Sequence, residues 1–293
     1  MKKILVTGGS GEIGRNTIPF LRKEGYNIDN YDIAANFEDD IWDTERLTGR
    51  MKGEDVVIHL AAIPHPHMAG SKDYWLLNYE GTKTVFECAK RAAVKKFVFP
   101  SSGCVYGFWG NHAKPDKFPI SEENYKPSIE EGLTIYGATK IACEEYLKEE
   151  SEKAGIRTIA LRLENVGTGV WRENIKDMYK GTCKLYHFFA SVSSENYHQM
   201  LKLVIERDLD GFFEVFNVGD EYVHPSIDVQ QMIRRYWPEV PNYTKGNEAL
   251  YSIEKAKKLL GYKPGKPNID IHRRIYQYSR RRLFKLVKLI TGK

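Results

Sequence analysis

Tyr136-Gly137-Ala138-Thr139-Lys140 places a phenol and an ammonium four residues apart, and Ser101-Ser102 lies one strand and one loop upstream. On a helix, side chains at i and i+4 share a face. An ammonium held near a phenol favours the phenolate and draws its proton affinity down from about 10 towards neutrality, where it can exchange a proton with an alcohol. That is alcohol–carbonyl chemistry. In a chain with 18 tyrosines a Tyr-x-x-x-Lys string can arise by chance, so its weight comes from its surroundings.

The surroundings begin at the N-terminus. Lys3-Ile4-Leu5-Val6-Thr7 is a short apolar strand that runs into Gly8-Gly9-Ser10-Gly11-Glu12-Ile13-Gly14 and then a helical stretch. Gly8 permits a tight turn, Gly11 lets backbone approach a pyrophosphate, and Gly14 lets the helix pack on the strand with its N-terminus facing phosphate charge. A second strand over 27–32 ends at Asp32, about twenty residues after the glycine loop. An acid there accepts hydrogen bonds from a ribose diol and repels a 2′-phosphate. Ile33-Ala34-Ala35 supply no arginine for such a phosphate, so NAD is favoured over NADP; Asp29 is the rival if the strand is shorter.

The coarse element order is strand 2–7, helix 12–24, strand 27–32, strand 55–60, helix 73–93, strand 96–101, helix 134–153 and strand 157–163, with a returning strand at 212–218. Strand–helix alternation implies an α/β, Rossmann-type, doubly wound parallel sheet. Ligands collect at the carboxyl ends of such strands, where Gly8, Asp32, Ala62, Ser102 and Asn165 fall. The expected organisation is a dinucleotide-binding core over 1–165, rejoined by 212–218, a small C-terminal substrate lobe over 166–262, and a tail over 263–293.

Taken together these segments resemble an extended short-chain dehydrogenase/reductase of the NAD-dependent sugar epimerase/dehydratase family. Further matches are Asp40-Ile41 with Asp43, His59-Leu60-Ala61-Ala62, Asn78-Tyr79-Glu80-Gly81-Thr82, the run from Phe97 to Gly107, Leu161-Arg162-Leu163-Glu164-Asn165-Val166 and Phe216-Asn217-Val218-Gly219. The resemblance implies Ser102, Tyr136 and Lys140 as the catalytic set, Ser102 rather than Ser101 because of its spacing to Val105-Tyr106-Gly107. It implies cofactor contacts from Gly8, Gly11, Glu12, Ile13, Gly14, Asp32, Asp40, Ile41, Leu60, Ala61, Ala62, Asn78, Ser101, Tyr136 and Lys140, and substrate contacts from Ser102 and Asn165. At a helix start Asn78 reads equally as an N-cap.

Departures from the family narrow the reaction. Where 4,6-dehydratases carry an acid pair after the catalytic hydroxyl, this chain has Gly103 and Cys104, which argues against water elimination. The stretch after Asn165 is shorter than in nucleotide-sugar epimerases and Leu185–Ala190 lacks their arginine, a shortening similar to that of uronate dehydrogenases. Arg172 stands where such an enzyme binds a substrate carboxylate, although a surface pair with Glu173 or Glu164 explains it as well. The expectation is a sugar or nucleotide-sugar epimerase working by transient oxidation. A uronate-type dehydrogenase releasing NADH is the alternative, and a non-catalytic NAD-binding scaffold is the reading from another class.

With 293 residues, 42% of them hydrophobic, the chain can bury a full doubly wound core and a cap. Its cysteines, at 88, 104, 143 and 183, show no metal-ligand pairing and read as reduced thiols, Cys104 as a packing residue. His65-Pro66-His67 lacks further ligands at matching spacing, so no metal is expected. No apolar run has the length of a membrane span, and Met1-Lys2-Lys3 leads straight into a strand, so a cytoplasmic protein is expected; the expected assembly is a homodimer. From 269 to 293 eight Lys/Arg face one Asp, which leaves the body slightly acidic against a net charge of +5. Ile275, Tyr276, Leu283, Leu286, Val287 and Ile290 share one helical face opposite basic residues. That pattern suits an interfacial helix on anionic lipid at the inner membrane surface, or docking on the body, more than nucleic acid.

Overall fold

The structure, a computed structural model, describes residues 1–66, 68–108, 114–124, 126–167, 190–223 and 227–265. Arg172 and the basic tail lie outside the described residues. Six strands form one parallel sheet: β1 (Lys3–Thr7), β2 (Asn27–Tyr31), β3 (Val56–His59), β4 (Lys96–Ser102), β5 (Arg157–Leu163) and β8 (Phe213–Val218), in spatial order β2-β1-β3-β4-β5-β8. Strands β6 (Asn165–Val166) and β7 (Ser191–Val192) make a separate parallel pair. The order reverses between β2 and β3 on either side of β1, which opens a crevice above the carboxyl end of β1.

β3 and β4 are buried along their whole length, as expected of strands covered on both faces. On one face lie α2 (Thr44–Met51), α4 (Gly81–Arg91) and α5 (Ile135–Ala154), where Leu47, Phe86, Leu147 and Phe97 share a core. A short α3 (Ser71–Tyr74) runs into α4 through the π-helical turn Trp75–Glu80. α2 and α5 begin where a side chain caps them. Asp43 accepts the Arg46 N–H at 3.0 Å, and Thr134 accepts the Gly137 N–H at 3.0 Å. α5 stops at Gly155, whose φ of 65° is left-handed.

The opposite face takes in part of the segment expected as substrate lobe. It carries α1 (Gly14–Lys23) and α6 (Ser194–Glu206), and Met200, Val204 and Ile205 pack with Ile4, Val6 and Leu21. Part of α8 (Glu254–Leu260) joins the same cluster through Ala256 and Leu260. Much of the segment expected as substrate lobe is therefore a layer of the nucleotide-binding core. The second core instead combines Tyr106, Phe118 and Ile120 from before α5 with Met232 and Ile233 of α7 (Val229–Tyr236) and with Tyr251. Among the described residues no helix is long and apolar enough to cross a membrane.

Candidate functional site

The glycine loop folds as a cradle with no room for side chains. Gly8 has φ +69°, and a Cβ there would lie 2.4 Å from the Ala61 nitrogen, so the ends of β1 and β3 touch. A Cβ on Gly14 would lie 2.3 Å from the Gly9 carbonyl oxygen, and one on Gly11 would lie 3.1 Å from that of Gly8. α1 starts at Gly14 with no side-chain cap; the Arg15, Asn16 and Thr17 N–H groups donate back to the Gly11 and Ile13 carbonyls, so an anion would meet the loop backbone that precedes them. Asp32 closes the far side: Oδ2 accepts the Ser10 N–H at 2.8 Å and Oδ1 the Ala34 N–H at 2.7 Å. An uncapped helix start, close backbone and an acid at the end of β2 fit a dinucleotide, with Gly11, Glu12, Ile13 and Gly14 around the pyrophosphate and Asp32 at the adenosine ribose.

Several expected cofactor contacts turn elsewhere. The Glu12 carboxylate points to His65, 3.6 Å away, and the neighbouring imidazole lowers its pKa despite burial. Only its backbone remains for phosphate. Asp40 accepts the Trp42 N–H at 3.0 Å, and its carbonyl accepts the Tyr31 hydroxyl at 2.9 Å, while Ile41 packs against the start of α4. Leu60, Ala61 and Ala62 line the exit of β3 beside Gly8. Asn78, buried in the π-helical turn, is not a cap. Its amide clamps Ile63, accepting the N–H at 2.8 Å and donating to the carbonyl at 3.1 Å.

Ser102, Tyr136 and Lys140 come together at the carboxyl end of β4 and the first turns of α5, at 6%, 6% and 5% exposure. Ser102 hydrogen-bonds the Tyr136 phenol, and its Oγ accepts the Cys104 N–H at 3.1 Å. The electrostatics depart from expectation. Burial, then Cys104, pushes the phenol well up, and only the Ser102 hydrogen bond pulls it back. Lys140 donates to the Pro100 carbonyl at 2.8 Å and lies 5.8 Å from the centre of the Tyr136 ring. Burial lowers its own pKa to about 8. A dry pocket penalises phenolate and ammonium alike, so the site holds a neutral phenol beside a lysine that is mostly charged at neutral pH.

Beneath them lies polar structure whose purpose no spacing revealed. His59 is fully buried and neutral, pushed down to about 3 by burial and the Lys140 charge. Its Nδ1 is 2.8 Å from the Thr7 hydroxyl and its Nε2 is 3.2 Å from that of Thr82. Thr82 donates onward to the Asn78 carbonyl at 2.5 Å, so the proton is assigned to Nε2. Glu144, one turn beyond Lys140, accepts Ser101 Oγ at 2.6 Å and both arms of Arg162 at 3.0 and 2.8 Å. Arg162 also reaches the Tyr106 hydroxyl at 2.8 Å, which donates to Asn217 at 2.7 Å. The Ser101 hydroxyl, expected at the cofactor, is thus committed to this network. Asn165 is exposed and donates to the Ala190 carbonyl at 3.2 Å. Glu144 was visible in the sequence as the i+8 member of the Tyr136–Lys140 face; its partners were not.

Comparison with known proteins adds three likenesses. UDP-glucose 4-epimerase of Mus musculus is 30% identical over 178 residues, 51% of this chain and 49% of the mouse protein, so the match takes in about half of that relative. UDP-glucose 4-epimerase of Lactobacillus helveticus is 25% identical over 92% of this chain and 94% of its own length. The crystal structure of UDP-glucose 4-epimerase from Brucella ovis in complex with NAD superposes with a TM-score of 0.69 at 20% identity, covering 95% of this chain and 99% of that one. The sequence profile of the NAD dependent epimerase/dehydratase family matches residues 4–177. With more than half of its residues inside that match, the chain belongs to the NAD dependent epimerase/dehydratase family.

Proposed function

We propose that this protein is an NAD-dependent epimerase of a nucleotide sugar, working by transient oxidation of a sugar hydroxyl. The observation that carries the reading is the buried meeting of Ser102, Tyr136 and Lys140 at the strand ends beside the glycine cradle. NAD, when bound, supplies the hydride acceptor. Ser102 fixes the reacting oxygen by a hydrogen bond, and Tyr136 exchanges the proton at its phenol oxygen. Lys140 keeps a positive charge below the phenol, which favours the phenolate in a site where water does not. The likeness to UDP-glucose 4-epimerases along nearly the whole chain supports the epimerase over other members of the family.

Purified protein incubated with UDP-glucose and UDP-galactose is expected to interconvert them without net NADH and to carry bound NAD(H) through purification. Tyr136→Phe lowers turnover by about 10²- to 10⁴-fold with NAD affinity unchanged, because only the proton-transfer hydroxyl is lost. Retention of more than about a tenth of the wild-type rate removes Tyr136 from the acid/base role. Stoichiometric NADH from a free sugar acid, with KM raised by Arg172→Ala, replaces the epimerase by the uronate dehydrogenase.

A further inference from the structure

Alternation along β4 puts Phe97, Phe99 and Ser101 on one side of the sheet. That is the side α5 covers: Phe97 and Phe99 share a core with Cys143 and Leu147, and Ser101 meets Glu144. Lys140, one turn before Glu144, lies over Phe99 with its Nζ 4.7 Å from the ring centre. Both are buried. The register of β3 on β4, Val57 with Phe97 and Ile58 with Val98, sets His59 beside the same ring, 6.4 Å between centres.

A buried ammonium has to be compensated. One of its three donors goes to the Pro100 carbonyl. Among the described residues Lys140 makes no ion pair. The titratable groups that face it are Glu144, Cys143 and Tyr136 on α5, Cys104 just after β4 and His59 on β3. The one carboxylate among them, Glu144, is already held by Arg162 and Lys126 at 2.8 and 3.3 Å. What lies against the cation is the ring of Phe99. An aromatic face is negative and attracts a cation within about 6 Å of its centre, more strongly where water is excluded. A carboxylate in that place would occupy the N–H donors and cancel the field that Lys140 exerts on Tyr136; a ring holds the charge and does neither.

We propose that Phe99 is a positioning residue of the site: its ring face holds the Lys140 ammonium charged and in place beside Tyr136, and so sets the upper pH at which the site works. The assignment rests on the reading above that Lys140 acts on Tyr136 as a cation.

The test puts para-fluorophenylalanine and trifluorophenylalanine at position 99, which keep the shape of the ring while draining negative charge from its face, and adds Phe99→Leu. Lys140 is read directly, as the resonance that Lys140→Met removes from carbon–proton spectra of protein labelled at the lysine Cε, titrated from about pH 6 to about pH 11. Interconversion of UDP-glucose and UDP-galactose over the same range gives the alkaline limb of kcat. Trifluorophenylalanine should lower the Lys140 pKa and the alkaline limb together by about one pH unit, and para-fluorophenylalanine by less than half of that. Phe99→Leu should lower both at least as far as trifluorophenylalanine does; if it does not fold, the fluorinated proteins carry the test. A graded fall of the Lys140 pKa in protein that does not interconvert the two sugars leaves the Phe99 assignment standing and removes the epimerase reading. A ring that only fills space predicts the same Lys140 pKa in wild type and both fluorinated proteins, and that result overturns the assignment. So does an active enzyme whose alkaline limb stays fixed while the Lys140 pKa falls.

Discussion

Lys140 shows how burial turns one side chain into a pH-sensitive part of the site. Its pKa falls from 10.5 to about 8 because the ammonium is desolvated. Below pH 8 both native and unfolded chains hold the proton, so this group gives no slope. Between pH 8 and 10.5 the unfolded chain holds a proton that the native state has released, so stability rises with pH across that window, by up to about 3 kcal/mol. Tyr136 works in the opposite sense at higher pH, because its raised pKa keeps the native phenol protonated where the unfolded one ionises. Urea titrations at pH 7.5 and 9.5 should therefore show a gain in wild type that Lys140→Met lacks, about 2 kcal/mol at most. The same pH response in both proteins would show that the lysine is solvated. Above about pH 8 turnover should fall as the ammonium is lost.

At the scale of elements, α5 is pinned to β4 and β5 by one carboxylate. Glu144 is 3% exposed and Arg162 is 2% exposed. Burial raises the Glu144 pKa, but the Arg162 hydrogen bonds and charge outweigh it and hold it below the usual carboxylate range. Glu144→Ala leaves a guanidinium buried without its partner and should destabilise by about 3–5 kcal/mol, read as a lower denaturation midpoint with unchanged slope. A loss below about 1 kcal/mol would mean that water replaces the carboxylate. Because Ser101 and Ser102 are adjacent on the strand that Glu144 grips, any surviving fold should also lose kcat. The glycine cradle gives a sharper case. At Gly8 an alanine meets both a left-handed φ and the Ala61 backbone, so Gly8→Ala should cost about 1–3 kcal/mol from φ alone and weaken NAD binding, measured by fluorescence titration.

For the whole molecule, two of the hydrophobic cores explain why the chain cannot be cut at residue 165. Tyr106 and Ile120 precede α5 yet pack with Met232, while α6 follows it and covers the sheet. The segment after Pro267 lies outside the described residues, and its sequence carries its own expectation. Deletion of 268–293 should abolish binding to vesicles containing anionic lipid, binding that in the full chain weakens as salt rises, and should leave kcat nearly unchanged. Unfolding of the truncated protein would show instead that the segment packs on the body.

Local chemistry was legible in the sequence because it is written in contiguous spacing. The glycine loop, Asp32 at the end of β2, and the Tyr136–Lys140 pair each depend on a single turn or strand, and β1, β5 and α5 fall within a residue or so of where periodicity and caps put them. Tertiary structure decided everything that depends on which segments become neighbours. Register between β4 and β5 set Glu164 against Gly103. Packing sent Asn78 to Ile63 and Ser101 to Glu144. Burial, a property of the assembled core rather than of any segment, raised the Tyr136 phenol that spacing alone had suggested would be acidified. A sequence states which groups are four residues apart; only the packed chain states how much water is left around them.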